Sequence, residues 1–443
     1  MSNKSQVNSG FFEKQFKLKE HNTDVKTEIM AGITTFMTMG YILAVNPGML
    51  SETGMDWGGV FTATALSAVV ATLVMAFYAN YPFVLAPGMG LNAFFTYTVV
   101  FTMGKSWQFA LTAVFLEGII FIVLSLFKVR EAIFDAIPMN LKKAVSVGIG
   151  LFIALIGLTN AGIVVGGGGT IIGLGNLADP ANLAPVLTII GLIIIGILLA
   201  LKVKGALLIG IIATTLIGIP MGITPMPEGF FQLPPSMSKV MFQFEWTEIF
   251  TLEMLIVVFT FLFVDVFDTV GTLIGVASKA DMLDKDGRLP NVSQALFADA
   301  VGTVAGACMG TSTVTTYVES ASGVADGGRT GLTALSAAVM FALALFFAPI
   351  FAIIPGAATA PALILVGLFM MSPIKDINLE DYTEAIPAFL TIIMMPFAYS
   401  IAEGIVFGMV SYVVLKVATG KSKDVSIVMY ILAVLFVVKT IFA

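Results

Sequence analysis

The sequence has little of three kinds of side chain on which many soluble enzymes depend. Only 11% of its 443 residues are charged, and it has one cysteine, Cys308, and one histidine, His21. A single cysteine excludes a disulfide framework within the chain, and neither residue belongs to a metal-binding motif. Because His21 lies in a polar N-terminal tail, histidine is also excluded from any chemistry inside an apolar core.

Apolar residues fill most of the chain instead. Hydrophobic residues make up 58% of it, and the mean hydropathy is +0.99. Ordinary soluble domains are about 45–50% apolar and about 25% charged. The surface of so apolar a chain must therefore face lipid, which excludes a cytosolic enzyme, a secreted scaffold and a nucleic-acid binder. We expect no cofactor and no nucleic-acid partner.

The apolar segments predict an all-α polytopic membrane protein with about 14 transmembrane segments. A spanning helix needs about 20 apolar residues. We predict helices at residues 28–49, 59–79, 88–103, 107–128, 141–162, 184–201, 205–220, 251–277, 292–308, 319–327, 330–354, 359–372, 384–398, 400–417 and 426–442. The third and tenth segments are too short to cross alone, and the last either spans the membrane or lies in its interface.

The basic residues predict a cytoplasmic N-terminus. If the first fourteen segments alternate from a cytoplasmic residue 1, only Lys105, Lys239 and Lys439 of the 22 basic residues fall outside the tail and the inner loops. This is the bias of the positive-inside rule. Residues 1–27 then form a cytoplasmic tail, and 221–250 form an external loop.

Internal similarity predicts two inverted repeats. The run that begins at Pro185 in the sixth segment resembles the run that begins at Pro387 in the thirteenth. The short third and tenth segments also follow extended runs, at 81–87 and 313–318. Since repeats of seven segments have opposite orientations, this is the plan of secondary transporters. Extended backbone cannot face lipid, so we predict short strands before half-helices 3 and 10, lining a substrate cavity.

The charges inside the segments are all acidic. They are Glu117, Asp265, Asp268, Asp299, Glu319 and Glu403. An ionised side chain at the bilayer centre costs about 2.5–3.5 kcal/mol even on the more lenient scale. Because no lysine or arginine lies mid-segment to pair with them, these acids suit proton binding or a substrate rich in N–H donors.

Two of the acids are the leading candidates for the site. Asp268 shares one face of the eighth segment with Thr272, beside Gly271 and Gly275, a pair of small residues that favours close helix packing. Glu319 opens the tenth segment, where a carboxylate either caps the helix or contacts substrate.

The remaining polar residues allow two interpretations, a structural role and a functional one. Asn92 lies one turn into the third segment, and its amide offers donors and acceptors that suit the edge of a heterocycle. Asp265, Glu117 and Glu403 fit structural hydrogen bonds better, and Asp299 fits a structural or a proton-carrying role equally.

Four runs together resemble the AzgA-like purine permeases of the nucleobase:cation symporter-2 family, also called xanthine/uracil permeases. The runs lie in order along nearly the whole chain, at residues 32–47, 86–95, 267–273 and 315–319.

The resemblance implies two inverted seven-segment repeats and two domains. Segments 1–4 and 8–11 (28–128 and 251–354) would form a core domain, and segments 5–7 and 12–14 (129–220 and 355–418) a gate domain. Residues 419–443 are then an extra apolar segment.

The resemblance also implies the site residues. In relatives the acid of the eighth segment and the glutamate of the tenth hold the base, and the third segment carries an asparagine. The implied substrate-binding residues are Asn92, Asp268, Thr272, Thr316 and Glu319. Since Thr272 stands where the uracil branch has histidine, the proton-coupling candidates are the carboxyls of Asp268, Glu319 and Asp299.

We therefore expect proton-coupled uptake of purine nucleobases (guanine, hypoxanthine or adenine) by a multi-pass protein of the cell membrane. The alternatives are a sulfate-type anion permease of the same architecture and a passive nucleobase channel. The expected partners are a purine, a proton, the lipid bilayer and, as one alternative, a second copy in a homodimer.

Overall fold

The computed structural model of the protein describes residues 11–126, 137–166, 170–177, 179–227, 229–279, 282–284 and 289–442. Its helices are α1 (Phe11–Phe16), α2 (Val25–Met39), α3 (Ile42–Ser51), α4 (Trp57–Val74), α5 (Met89–Ala93), α6 (Trp107–Leu126), α7 (Met139–Asn160), α8 (Ala184–Ala200), α9 (Ala206–Gly218), α10 (Leu252–Lys279), α11 (Val292–Met309), α12 (Ser320–Ala325), α13 (Gly331–Ala344), α14 (Ala348–Ala352), α15 (Gly356–Met370), α16 (Tyr382–Phe397), α17 (Ile401–Ala418) and α18 (Ile427–Phe442). Its strands are β1 (Leu85–Pro87), β2 (Val164–Val165), β3 (Gly173–Leu174) and β4 (Val314–Thr316).

The predicted all-α membrane class is confirmed. Nine helical stretches in the described part of the chain are long and apolar enough to cross a membrane, and four shorter apolar helices accompany them. Together with the half-helix α12 they correspond to the fourteen predicted segments. The predicted tail is described only from Phe11 onward, and the predicted end of the fourth segment, at 127–128, lies outside the described residues.

The helices pack as two bundles. The first bundle consists of α2–α6 and α10–α14, with α11 packed on α4 and α6, and α13 packed on α2 and α4. The second bundle consists of α7–α9 and α15–α17, with α7 packed on α15 and α16. The bundles meet where α2 contacts α9 and where α5 and α10 contact α7, and α18 packs on α17.

The first and eleventh segments are joined by a buried carboxylate. Glu28, in the first turn of α2, is fully buried. Its Oε1 accepts a hydrogen bond from the backbone N–H of Arg329 at 2.9 Å, and its Oε2 accepts one from the N–H of Thr333 at 3.1 Å. Negative charge is favoured at a helix N-terminus, where backbone N–H groups lack helical partners. Glu28 therefore caps α13 from another segment and fixes the two helices together.

Two predicted helices are interrupted in the structure. The segment predicted at 28–49 divides into α2 and α3 at Gly40 and Tyr41, and the segment predicted at 330–354 divides into α13, a 3₁₀ turn and α14. In the loop after α7, β2 and β3 form a small hairpin with Val164 opposite Leu174.

Candidate substrate site

Two short strands meet inside the first bundle. β1 and β4 pair antiparallel, with Leu85 opposite Thr316 and Pro87 opposite Val314, and every residue of both strands is buried. The strands predicted before the two half-helices are therefore present. Each strand leads into a short helix, so the pairing brings the beginnings of α5 and α12 together.

The turn from β1 into α5 packs directly on strand β4. A Cβ atom at Gly88 would lie 2.4 Å from Cγ2 of Thr315, closer than real Cβ contacts allow. Any larger residue at position 88 would have to displace the side chain of Thr315.

A cavity of about 390 Å³ lies between the two bundles, beside this sheet. Small-molecule sites usually have volumes of about 300–1,000 Å³. The first bundle contributes α10, β4 and the residues before α3 and α12 to its wall, and the second bundle contributes α7 and α15. Four predicted site residues line the cavity: Asp268, Thr272, Thr316 and Glu319.

Glu319 lies at the junction between β4 and α12, partly buried in the cavity wall. Its Oε1 accepts a hydrogen bond of 2.8 Å from the hydroxyl of Tyr41. Within this fully described turn, the carboxylate accepts no capping hydrogen bond from the backbone of α12. The geometry therefore favours a cavity role over the helix-cap role.

Asp268 and Thr272 lie one turn apart on the cavity face of α10. Gly271 and Gly275 line the same face, and a Cβ atom at either would meet nothing within 4 Å. The expectation that these glycines allow close helix packing is wrong. They form open wall, because a residue without a side chain can serve either purpose and only the neighbouring elements decide which.

Thr316 supplies an unpaired hydroxyl to the cavity wall. The residue is 2% exposed, and its Oγ1 has no hydrogen-bond partner within the described part of the chain. A buried polar group left unsatisfied costs about 1–3 kcal/mol. This hydroxyl is therefore placed to bond a ligand.

Asp299 lies behind the cavity in a buried polar cluster. The hydroxyl of Thr269 is 2.8 Å from Oδ1 of Asp299, 3.1 Å from Oδ1 of Asp265 and 2.6 Å from the hydroxyl of Thr315. One hydroxyl has a single proton to donate, so the two carboxylates compete for it. Thr315 also lines the cavity, which places Asp299 two hydroxyl groups away from it.

Asn92 is fully buried and is not among the residues that line the cavity. The hydroxyl of Ser312 donates to its Oδ1, and its Nδ2 lies 3.4 Å from the carbonyl oxygen of Pro87. The amide thus bridges α5 to the residues before β4 and holds the sheet, rather than facing the cavity.

A model of the Permease family (Xan_ur_permease) matches residues 26–438 of the chain. The chain belongs to this family. It is 46% identical to the guanine/hypoxanthine permease PbuO of Bacillus subtilis, over 96% of this chain and 99% of that protein. It is 44% identical to the adenine permease AdeQ of Escherichia coli K12, over 98% of this chain and 97% of that protein.

The permease also has the fold of a solved transporter domain. It superimposes on the transmembrane domain of the cyanobacterial bicarbonate transporter BicA with a TM-score of 0.61, covering 85% of this chain and 97% of that one. Their sequences are 18% identical, so this likeness shows the fold alone. The permease is a multi-pass membrane transporter and not an enzyme.

The cavity-wall residues that are not predicted from the sequence include Tyr41, Lys142 and Lys143. Tyr41 is 1% exposed and Lys142 only 9%, although both are polar. In the charge pattern the lysines count as inner-loop residues, and their place at the start of a long apolar segment is the only available signal. Tyr41 lies in one of the four family-like runs, directly after Gly40, which by itself is a weak signal of a helix break.

Proposed function

We propose that this permease takes up purine nucleobases together with protons, and that the base binds in the cavity between the two bundles. The observation that carries this proposal is the convergence of Asp268, Thr316 and Glu319 on one cavity beside the paired strands. Purines present ring and exocyclic N–H donors along with ring acceptors. A carboxylate accepts such donors with charge-assisted hydrogen bonds, and the hydroxyl of Thr316 donates or accepts as needed.

The relatives support the substrate class. PbuO is named a guanine/hypoxanthine permease and AdeQ an adenine permease, and both match nearly the whole chain. We therefore assign Asp268, Thr272, Thr316 and Glu319 to direct binding. Asn92 acts through the position of the strands.

Proton coupling rests on acids that lie in or behind the cavity. Asp268 lines the wall, whereas Asp299 is joined to it through Thr269 and Thr315. In our proposal Asp268 takes up the transported proton, and Glu319 holds the base. The cluster around Asp299 stores or passes on the proton.

Transport requires the two bundles to move against each other. The first bundle carries both strands and half-helices and acts as the core domain, whereas the second bundle acts as the gate domain. We place the N-terminus in the cytoplasm of a cell with this permease in its plasma membrane.

An anion permease fits the cavity less well. Asp268 and Glu319 face the ligand from the first bundle, where they would repel sulfate, although Lys142 and Lys143 lie in the opposite wall. A passive channel is distinguished from a symporter by its response to a proton gradient.

The decisive experiment uses purified permease in liposomes. Uptake of labelled hypoxanthine should rise as the outside pH falls, collapse with a protonophore, and be inhibited by purines more strongly than by uracil. Uptake that depends on sodium and ignores pH would overturn the proton assignment, and flux that ignores both gradients would favour a channel.

Two variants separate the proposed roles. Glu319→Gln should weaken purine binding about 10- to 100-fold, because hydrogen bonds that involve a charge contribute about 1.5–3 kcal/mol. Asp268→Asn should retain binding but lose accumulation against a gradient. Glu403→Gln, whose side chain lies outside the cavity wall, is the matched control. Near-normal affinity in Glu319→Gln would move the binding site elsewhere.

A further inference from the structure

Tyr41 occupies the interruption between α2 and α3. α2 ends at Met39 and α3 begins at Ile42, so the first segment breaks at the depth of the cavity. The backbone changes its hydrogen bonding here, with the N–H of Leu43 donating to the carbonyl of Gly40 at 3.2 Å. The side chain of Tyr41 is buried and lies in the cavity wall.

The hydroxyl of Tyr41 forms a hydrogen bond with the carboxylate that we propose binds the base. It lies 2.8 Å from Oε1 of Glu319, which is 278 positions away in the chain. A glutamate side chain has several rotatable bonds, and ordering it during binding would oppose the affinity for substrate. A hydrogen bond present before substrate arrives removes part of that cost.

A donor also selects the protonation state of its acceptor. An O–H that points at a carboxylate oxygen favours the ionised form of the carboxyl. We propose that Tyr41 is a positioning residue for the nucleobase site: its hydroxyl holds one oxygen of Glu319, so that the other oxygen is presented to an N–H edge of the substrate. This inference rests on the proposed function, because it assumes that Glu319 binds the base.

Other charged and titratable groups surround Glu319 on every side. They are Asp268 on α10, Tyr317 after β4, Lys142 and Lys143 on α7, and Lys202 and Lys204 in the turn between α8 and α9. The first four line the main cavity, and the last two line a smaller cavity of about 220 Å³ that also touches Glu319. A pH profile of binding reports all of these groups together. The change produced by one hydroxyl must therefore be measured as a difference between matched variants.

The test compares Tyr41→Phe with Tyr412→Phe by equilibrium binding of labelled hypoxanthine to purified permease. Tyr412 is also buried, but it lies on α17 in the second bundle. Removing the Tyr41 hydroxyl should weaken binding about tenfold at neutral pH, as expected for a hydrogen bond to a charged group. The acid limb of the binding profile should also move to higher pH. In uptake measurements the KM should rise more than the maximal rate falls. Tyr412→Phe should leave the affinity, the pH profile of binding and the KM unchanged.

A double-mutant cycle separates positioning from packing. In the Glu319→Gln background, Tyr41→Phe should cost little further affinity, because the pair acts as a unit. If Tyr41→Phe does not fold, a fluorinated tyrosine inserted at position 41 keeps the shape and makes the hydroxyl a stronger donor, so the acid limb should move to lower pH.

The possible failures are distinguishable. If Tyr41→Phe binds within twofold of wild type with an unchanged pH profile, or if its effect adds fully to that of Glu319→Gln, Tyr41 is only a packing residue. Tyr41 is likewise only a packing residue if the fluorinated tyrosine leaves the profile unchanged. If the wild-type permease binds no purine, the proposed function itself fails.

Discussion

The boundary between the two bundles differs at its two ends, which we name outer and inner from the proposed cytoplasmic N-terminus. At the outer end, where α7 finishes, Nδ2 of Asn160 donates to the hydroxyl of Tyr97 at 2.7 Å, and that hydroxyl lies 3.1 Å from Oε2 of Glu52. At the inner end, where α7 begins, the cavity extends to the exposed residues Met139 and Ser372. If the N-terminus is cytoplasmic, as we propose, the described state is closed outside and its site is reached from inside.

The contacts that join the bundles at the two ends, called the outer tie and the inner tie below, also differ in chemistry. The outer tie has a buried centre, since Tyr97 is 3% exposed and the ring of Tyr399 packs edge-on against it with 6.3 Å between ring centroids, although Asn160 and Glu52 are exposed. The inner tie is an ion pair between Lys204 and Asp326, and the lysine side chain is 59% exposed. Because exposed ion pairs contribute little, we expect the contacts around Tyr97 to resist separation of the bundles more than the ion pair does.

The largest expected effect on uptake comes from adding a methyl group where the two bundles touch, between the two ends of their boundary. Gly90 on α5 faces α7, and a Cβ atom there would lie 2.8 Å from Cγ2 of Ile149. Overpacking costs roughly 1–3 kcal/mol. Gly90→Ala should therefore slow hypoxanthine uptake about 5- to 100-fold as the bundles lose their sliding contact, measured in liposomes at matched protein content.

Two further variants check this explanation. Gly196→Ala adds the same methyl group to α8, outside the cavity wall and at a position where a Cβ atom would meet nothing within 4 Å, and should change uptake less than about twofold. Ile149→Ala should restore much of the activity of Gly90→Ala. A slow Gly90→Ala that Ile149→Ala does not rescue would contradict overpacking as the cause.

The outer tie should give the next largest effect. Asn160→Ala removes a neutral hydrogen bond between the bundles, which contributes about 0.5–1.5 kcal/mol, so the outward-open population should rise about 2- to 10-fold. The measurement is the rate at which an impermeant thiol reagent, added outside, labels Thr272→Cys in a Cys308→Ala background. Asn140→Ala is the control, because Asn140 lies on the same helix and donates at 2.9 Å to the carbonyl of Asn378, just before α16 of its own bundle. Equal labelling in the two variants would show that Asn160 does not hold the outer end.

The same contrast shows what sequence could predict. Hydropathy predicts every spanning segment, and the β-branched and proline-containing runs predict both strands, because these signals are local. The break at Gly40 and Tyr41 is not predicted, because one glycine within an apolar run is a weak signal and the contact that Tyr41 makes there comes from Glu319 in the other half of the chain. Asn92 is expected at the substrate, but an amide suits a heterocycle and a neighbouring hydroxyl equally, and the fold gives it Ser312. Local pattern therefore predicts elements, whereas the wall of the cavity depends on pairings between repeats.

We also expect closure of the outer end to depend on pH, because the carboxyl of Glu52 lies there. Burial raises the pKa of Glu52 above its ordinary value of 4.5, although the hydrogen bond from Tyr97 opposes the shift. In the closed state Glu52 thus keeps its proton at pH values where an exposed carboxyl has lost it. Closure should therefore strengthen as the outside pH falls through the raised pKa towards 4.5, and it gains nothing further below that value.

The rate of external labelling tests whether protonation of Glu52 closes the outer end. External labelling of Thr272→Cys, normalised to Asn182→Cys in the outer loop, should slow as the outside pH falls. Glu52→Gln should abolish the trend, because its amide does not titrate. A faster normalised rate in acid would mean that protonation of Glu52 opens the outer end.

The smallest effect is expected at the inner tie. The ion pair between Lys204 and Asp326, to which Thr34 also donates at 2.7 Å, is formed in the state that is closed outside. Lys204→Ala should therefore favour outward opening, but exposed ion pairs contribute only about 0.2–1 kcal/mol, so external labelling of Thr272→Cys should accelerate no more than about fivefold. Salt at about 1 M shortens the screening length to about 3 Å, so it should reproduce the effect in wild type and add nothing to Lys204→Ala. Lys202→Ala, in the same turn, controls for the loss of positive charge alone. If Lys204→Ala opens the outer side more than Asn160→Ala does, the exposed ion pair and not the hydrogen-bond chain through Tyr97 holds the two bundles in register.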